Sequence, residues 1–123
     1  MTKIRATDRS KSFQEFVDWT KKNIKGRERG EAQIFLNKLL QTFENQGALE
    51  AGAVFENPVK KKSGRTGFMD LIWKPRVIVE MKGRGEPLSK HYYQAAEYWF
   101  RLVPNKPKYM VLCNFDEFWI YDF

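Results

Sequence analysis

The run Val77-Ile78-Val79-Glu80-Met81-Lys82 is apolar and β-branched until Glu80 and Lys82 interrupt it. A carboxylate and an ammonium inside a sheet are costly unless they pair or bind something. Two positions apart on a strand, their side chains project from the same face. Asp70 stands in the preceding apolar run, Phe68 to Trp73, with nine residues between it and Glu80. If the two runs form a hairpin, facing residues have numbers with a constant sum. Asp70 and Glu80 then share a face only when that sum is even. A three-residue turn around Pro75 satisfies this. A two-residue turn at Lys74-Pro75 puts the carboxylates on opposite faces, and a shared site would need a bulge.

Two converging carboxylates and a lysine form the set that phosphodiester hydrolysis needs. Asp70, Glu80 and a backbone carbonyl such as that of Met81 offer oxygen ligands suited to Mg²⁺ or Mn²⁺. Such an ion lowers the pKa of a bound water and stabilises charge on the phosphate. Lys82 would orient the water, help deprotonate it, or neutralise the transition state. The bland alternative is a strand-end salt bridge between Glu80 and Lys82, since Glu-x-Lys is expected about once by chance in a chain this rich in both residues.

The elements that must position these residues follow from periodicity and punctuation. Ser12-x-x-Glu15 reads as a capping box opening a helix with Phe13, Phe16, Val17 and Ile24 on its apolar side and Trp19 beside them. Gly26 ends it, and Gly26 to Gly30 is a charged link. A second helix runs from about Glu31 to Asn45 on Ile34, Phe35, Leu36, Leu39, Leu40 and Phe43, with Gly47 where a C-terminal cap belongs. Strands are expected at Ala53 to Lys60, Phe68 to Trp73 and Val77 to Lys82, with a basic loop from Lys60 to Gly67. After Gly83 to Pro87 a third helix begins at Ser89 and ends near Leu102. Pro104 and Pro107 frame a connection to strands at Tyr109 to Cys113 and Glu117 to Tyr121. The order α-α-β-β-β-α-β-β predicts an α/β fold with a mixed central β-sheet flanked by helices, the Ser89 to Leu102 helix crossing over between parallel strands.

A chain of 123 residues suits one domain. Its net charge of +7 and pI near 9.6 favour a polyanionic partner, nucleic acid before membrane. No apolar run is long enough to span a bilayer, and the polar N-terminus lacks a signal core. One cysteine, Cys113, permits no internal disulfide and fits a reducing cytoplasm; with one histidine, His91, it also excludes a zinc finger within the chain. His91 reads as a surface or helix-start residue. Trp19, Trp73, Trp99 and Trp119 read as core, and Cys113 as an inert strand residue.

Asp70 with Glu80-Met81-Lys82 resembles the PD-(D/E)XK nuclease superfamily, and Gln94-x-x-x-Tyr98 resembles the QxxxY motif of its RecB-like branch. A narrower resemblance rests on Gly67 to Trp73, Glu80 to Gly85, Tyr92 to Tyr98 and Tyr109 to Phe115. These segments are similar to the N-terminal nuclease domain of MmeI-like (Type IIL) restriction–modification enzymes. The similarity is strong from Phe68 to Phe123 and looser over the first helices.

The resemblance implies a restriction-endonuclease-like fold and a Mg²⁺-dependent DNA endonuclease leaving 5′-phosphate and 3′-hydroxyl ends. It casts Asp70, Glu80, Lys82 and Gln94 as catalytic and brings Tyr98 towards the site or the DNA backbone. It makes Glu31 a candidate third metal carboxylate; a first-turn Glu favoured by the helix dipole is the plainer reading. Lys61, Lys62, Arg65 and Arg84 are candidate phosphate contacts, although charge runs are more often solvated. The family joins its nuclease to a methyltransferase and a target-recognition domain. No Asn-Pro-Pro-Tyr motif occurs, since Asn57-Pro58 continues with Val59, so the chain is expected to be an excised domain or a standalone relative. Double-strand cleavage would call for a dimer. A non-catalytic nucleic-acid-binding module on the same fold is the alternative.

Overall fold

The computed structural model describes residues 6–44, 46–102 and 106–123, without the side chains of 6–9, 43 and 44. Helices α1 (Ala6–Asn23), α2 (Glu28–Glu44) and the single turn α3 (Ala48–Ala51) precede strands β1 (Val54–Lys60), β2 (Thr66–Trp73) and β3 (Val77–Met81). A 3₁₀ turn at Leu88–His91 leads into α4 (Tyr92–Arg101), followed by β4 (Tyr109–Cys113) and β5 (Phe118–Asp122). The five strands lie in the order β1-β2-β3-β4-β5. Every neighbouring pair is antiparallel except β3–β4, which is parallel and joined through α4. The α/β class and the mixed sheet are as the element order predicts. No helix among the described residues is long and apolar enough to cross a membrane.

Each face of the sheet has its own core. On one face Leu71, Val79, Met81, Val111 and Cys113 pack beneath Phe16 and Ile24 of the α1 region and Phe35, Leu36 and Leu40 of α2. On the other, Ile78, Met110 and Leu112 pack beneath Leu88, Ala95 and Tyr98. Alternation along β3 and β4 sorts these side chains, as the two-residue period requires. A parallel strand buried on both faces reads as a near-continuous apolar run, which is the character of β3 and β4.

Several local expectations are corrected. Helix α1 begins before the Ser12–Glu15 box, because no breaker separates Ala6 from Ser12 and a continued helix satisfies the same backbone donors. The start of regular helix in α2 at Glu31 is as expected, since Arg29 and Gly30 have non-helical backbone, Gly30 at φ +85°. Gly47 does not terminate α2 in a left-handed cap. It is extended (φ −70°, ψ 176°) and opens the short α3, where the Ala48 N–H donates to Asn37 Oδ1 at 2.8 Å. The basic loop is shorter than expected, because the β1–β2 ladder continues to Lys60↔Thr66. The Phe43 side chain, Asn45 and Pro104 lie outside the described residues.

Phe35 joins the first core together. Its ring meets Phe16, Phe115 and Phe118 at centroid distances of 5.2, 5.1 and 6.1 Å, and it is fully buried. Truncating such a ring removes its transfer energy and leaves a cavity. Phe35→Ala is therefore expected to lower stability by about 3–5 kcal/mol in urea unfolding; a loss under about 1 kcal/mol would show that the helices close over the gap.

Candidate active site

The site is built on the β2–β3 hairpin. Pairing runs Leu71↔Val79, Ile72↔Ile78 and Trp73↔Val77, which leaves Lys74, Pro75 and Arg76 as a three-residue turn and fixes an even sum. Asp70 consequently faces Glu80, and their carboxyl groups come within hydrogen-bond reach. The regular ladder stops one pair short of them. In its place the Met81 N–H donates to Asp70 Oδ2 at 2.6 Å, so the carboxylate stands in for a strand partner. The Lys82 N–H donates to the Cys113 carbonyl at 2.7 Å and extends the β3–β4 pairing by one residue.

Asp70 also lies where the β1–β2 ribbon rolls over. Phe55↔Leu71 and Asn57↔Met69 pair in one register, with Glu56 and Asp70 between them. Yet Leu71 and Phe55 face the α1–α2 core, whereas Met69 and Val59 face the α4 core, although the alternation would keep each pair on one side. Glu56 accommodates the roll with φ +53°, a left-handed value that is strained for a residue with a Cβ. The result is an open cleft of about 480 Å³ beside the start of α2, lined by Glu28, Glu56 and Asp70 among others.

Glu80 is 5% exposed. Burial, then the hydrogen bond and charge of Asp70, push its pKa up to about 9; Lys82 pulls the other way, and the charge of Glu28 adds to the rise. At neutral pH the buried Glu80 therefore keeps its proton beside the Asp70 carboxyl group. Lys82 does not form the strand-end ion pair with Glu80. Its Nζ donates to Gln94 Oε1 at 3.1 Å, which links β3 to the exposed side of α4.

The other sequence-selected residues take different positions. Glu31 serves the backbone: its two carboxylate oxygens accept from Lys25 N–H (2.8 Å) and Arg27 N–H (2.7 Å), and these bonds hold its pKa below the usual range. Glu28, inside the charged link, is the α2 carboxylate that shares the cleft with Asp70. The sequence signal for it was a carboxylate bracketed by Gly26 and Gly30, which free the backbone to turn. Glu56 gave no sequence signal. Tyr98 is 3% exposed and belongs to the α4 core, with its hydroxyl against Gly67, where any Cβ would collide.

Arg84 straps three segments together. Its N–H donates to the Gly26 carbonyl (2.9 Å), its Nη1 to the Ile24 carbonyl (3.3 Å), and its Nε pairs with Asp116 at 3.1 Å. In the β1–β2 loop the Lys62 N–H donates to Glu97 Oε1 at 3.0 Å, docking the loop on α4, while the Lys62 and Arg65 side chains stay exposed. Lys61 Nζ lies 5.6 Å from the Tyr98 ring centroid. His91 bonds to Glu86 at 2.9 Å, and burial drives the Cys113 thiol up to about 12.

Because the folded pKa of Glu80 exceeds its unfolded value, the folded chain binds more protons between about pH 4.5 and 9, and stability falls as pH rises through that window. Glu80→Gln keeps the shape and removes the charge. In EDTA it is expected to be more stable than the unsubstituted chain at pH 8, by about 1–3 kcal/mol. The difference should shrink towards pH 4.5, as read by thermal denaturation across pH. A difference that does not vary with pH would place the titration on another group.

Residues 8–123 match the family model described as "MmeI, N-terminal domain". No curated protein and no solved structure matches the chain. The family model spans both the β2–β3 hairpin with its facing carboxyl groups and the α4 helix that holds Lys82 through Gln94, and the chain belongs to the MmeI N-terminal domain family.

Proposed function

We propose that this domain is a metal-dependent DNA endonuclease of the PD-(D/E)XK type, the restriction component of a restriction–modification protein. The observation that carries the reading is the even register of the β2–β3 hairpin. It sets Asp70 against Glu80 with Lys82 two residues further along. A module that only bound phosphate would have no use for inward carboxylates, which repel phosphate and are costly to bury.

Among the described residues no group of three His, Cys, Asp or Glu side chains is arranged to hold a metal ion. The pair itself fits one by its chemistry. Asp70 and Glu80 offer hard oxygen donors in contact, and a cation would offset the negative charge that the buried Glu80 acquires on ionising. Asp70, Glu80 and the Met81 carbonyl would hold Mg²⁺ or Mn²⁺, with Glu28 better placed than Glu31 to add a third carboxylate. Such an ion supplies Lewis-acid stabilisation of phosphate charge and an acidified water.

Lys82 supplies a positive charge at the phosphate, and Gln94 holds its Nζ in position. The exposed Lys62 and Arg65 provide phosphate contacts outside the site. Methyltransferase and target-recognition domains in a longer polypeptide, a dimer for double-strand cleavage and a cytoplasmic setting belong to the same reading.

The test is cleavage of supercoiled plasmid by the purified chain with Mg²⁺ or Mn²⁺, beside an EDTA control and Lys82→Ala. Nicking or linearisation abolished by EDTA and reduced about 10²-fold or more by Lys82→Ala is expected. No cleavage together with no divalent-ion binding in calorimetry would leave a non-catalytic nucleic-acid-binding module.

A further inference from the structure

The side of α4 turned away from the sheet carries two large aromatic rings in water. Tyr93 is 84% exposed and Phe100 is 67% exposed. Single exposed apolar residues are ordinary, but these two border one open groove of about 490 Å³ with Lys62, Ala96, Glu97 and Arg101. Seven residues apart, they stand on one helix face at a separation of roughly 10 Å. Both rings are braced from the core side. Tyr92 meets Tyr93 edge-to-face at 5.4 Å, and Trp99 meets Phe100 at 6.5 Å. Each thus keeps most of its surface in solvent while touching a neighbouring ring.

The charge beside the rings has one predominant sign. Lys62 and Arg101 line the groove, and Lys106 Nζ lies 4.3 Å from the Phe100 ring centroid. The one carboxylate there, Glu97, accepts the Lys62 N–H and so holds the basic loop against the groove. Gln94, next to Tyr93 on α4, holds Lys82, so one helix carries both the groove and the partner of the candidate catalytic lysine.

We infer that this groove binds single-stranded DNA, with bases stacked on Tyr93 and Phe100 and phosphates on Lys62, Arg101 and Lys106. Alternating rings and cations suit a strand whose bases are free, because stacking needs an open π-face and duplex bases have none to offer. A nucleic-acid strand carries both the flat bases and the phosphates that this pattern matches, whereas a protein partner would have to supply its own carboxylates opposite Lys62, Arg101 and Lys106. The groove would hold unpaired nucleotides beside the scissile phosphate, and this assignment rests on the nucleic-acid reading above.

Binding separates this inference from catalysis. Fluorescence anisotropy of a labelled oligothymidylate with the full chain in EDTA reads affinity without cleavage. Tyr93→Ser and Phe100→Ser are each expected to weaken it about tenfold. Neither should weaken binding of an abasic strand of the same length, or of a duplex. Arg101→Gln should weaken all three and lower the salt slope by about one unit. Both aromatic positions are exposed, so melting temperatures should hold. Oligothymidylate affinity within twofold of the unsubstituted chain in the Tyr93→Ser/Phe100→Ser double variant would overturn the inference. So would equal weakening on the abasic strand. Loss of a self-associated species in sedimentation, with DNA affinity unchanged, would instead make the patch a protein contact. These outcomes hold whether or not the plasmid is cut.

Discussion

A buried carboxyl group held against a second one is costly to ionise without a third party to carry positive charge. That condition sits at the meeting of β2 and β3, and much of the surrounding architecture serves to maintain it. The three-residue turn sets the parity that makes Asp70 and Glu80 face each other. Parallel pairing of β3 with β4 holds Glu80 opposite Leu112, away from solvent. The Met81 N–H anchors the Asp70 carboxylate from the side. Glu80 meets that condition by holding its proton at neutral pH.

The cost of that arrangement is met elsewhere in the fold. The left-handed Glu56 and the roll of β1 and β2 at Asp70 forgo regular pairing where the cleft opens. Stability comes from two separate cores, the aromatic cluster around Phe35 on one face and the Met69, Ile78 and Met110 layer under α4 on the other. Strain concentrated at a site and packing concentrated away from it is the expected division for a functional cleft. Arg84, tying the ends of α1 and the β4–β5 turn to the segment after β3, holds the mouth in shape through several ordinary hydrogen bonds.

Electrostatics has two zones. The chain as a whole is strongly basic, yet the cleft is lined by three carboxylates, Glu28, Glu56 and Asp70, against one cation, Arg29. A polyanion drawn in by the long-range field would meet local repulsion at the pair unless a cation screened it. The basic β1–β2 loop and α4 lie on the same side of the sheet as Lys82, since Lys62 docks on Glu97 and Lys82 on Gln94.

Much of the sheet was legible in the amino-acid pattern. Apolar runs and turn residues located all five strands, and the helix between the third and fourth offered the crossover that a parallel β3–β4 pair needs. Glu80 and Lys82 stood out because charge inside a β-branched run has a physical cost. What the pattern left open was decided by tertiary contacts. The hairpin parity depended on one residue of turn length. Glu31 and Glu28 are equally plausible as bare letters, and only the path of the Gly26–Gly30 link assigns one to the backbone and the other to the cleft. Tyr98 and Tyr93 are both tyrosines on one helix, and their burial follows from which side of α4 meets the sheet. Local sequence specifies which side chains are present and which element carries them; where those side chains point depends on the packing of residues far apart in the chain.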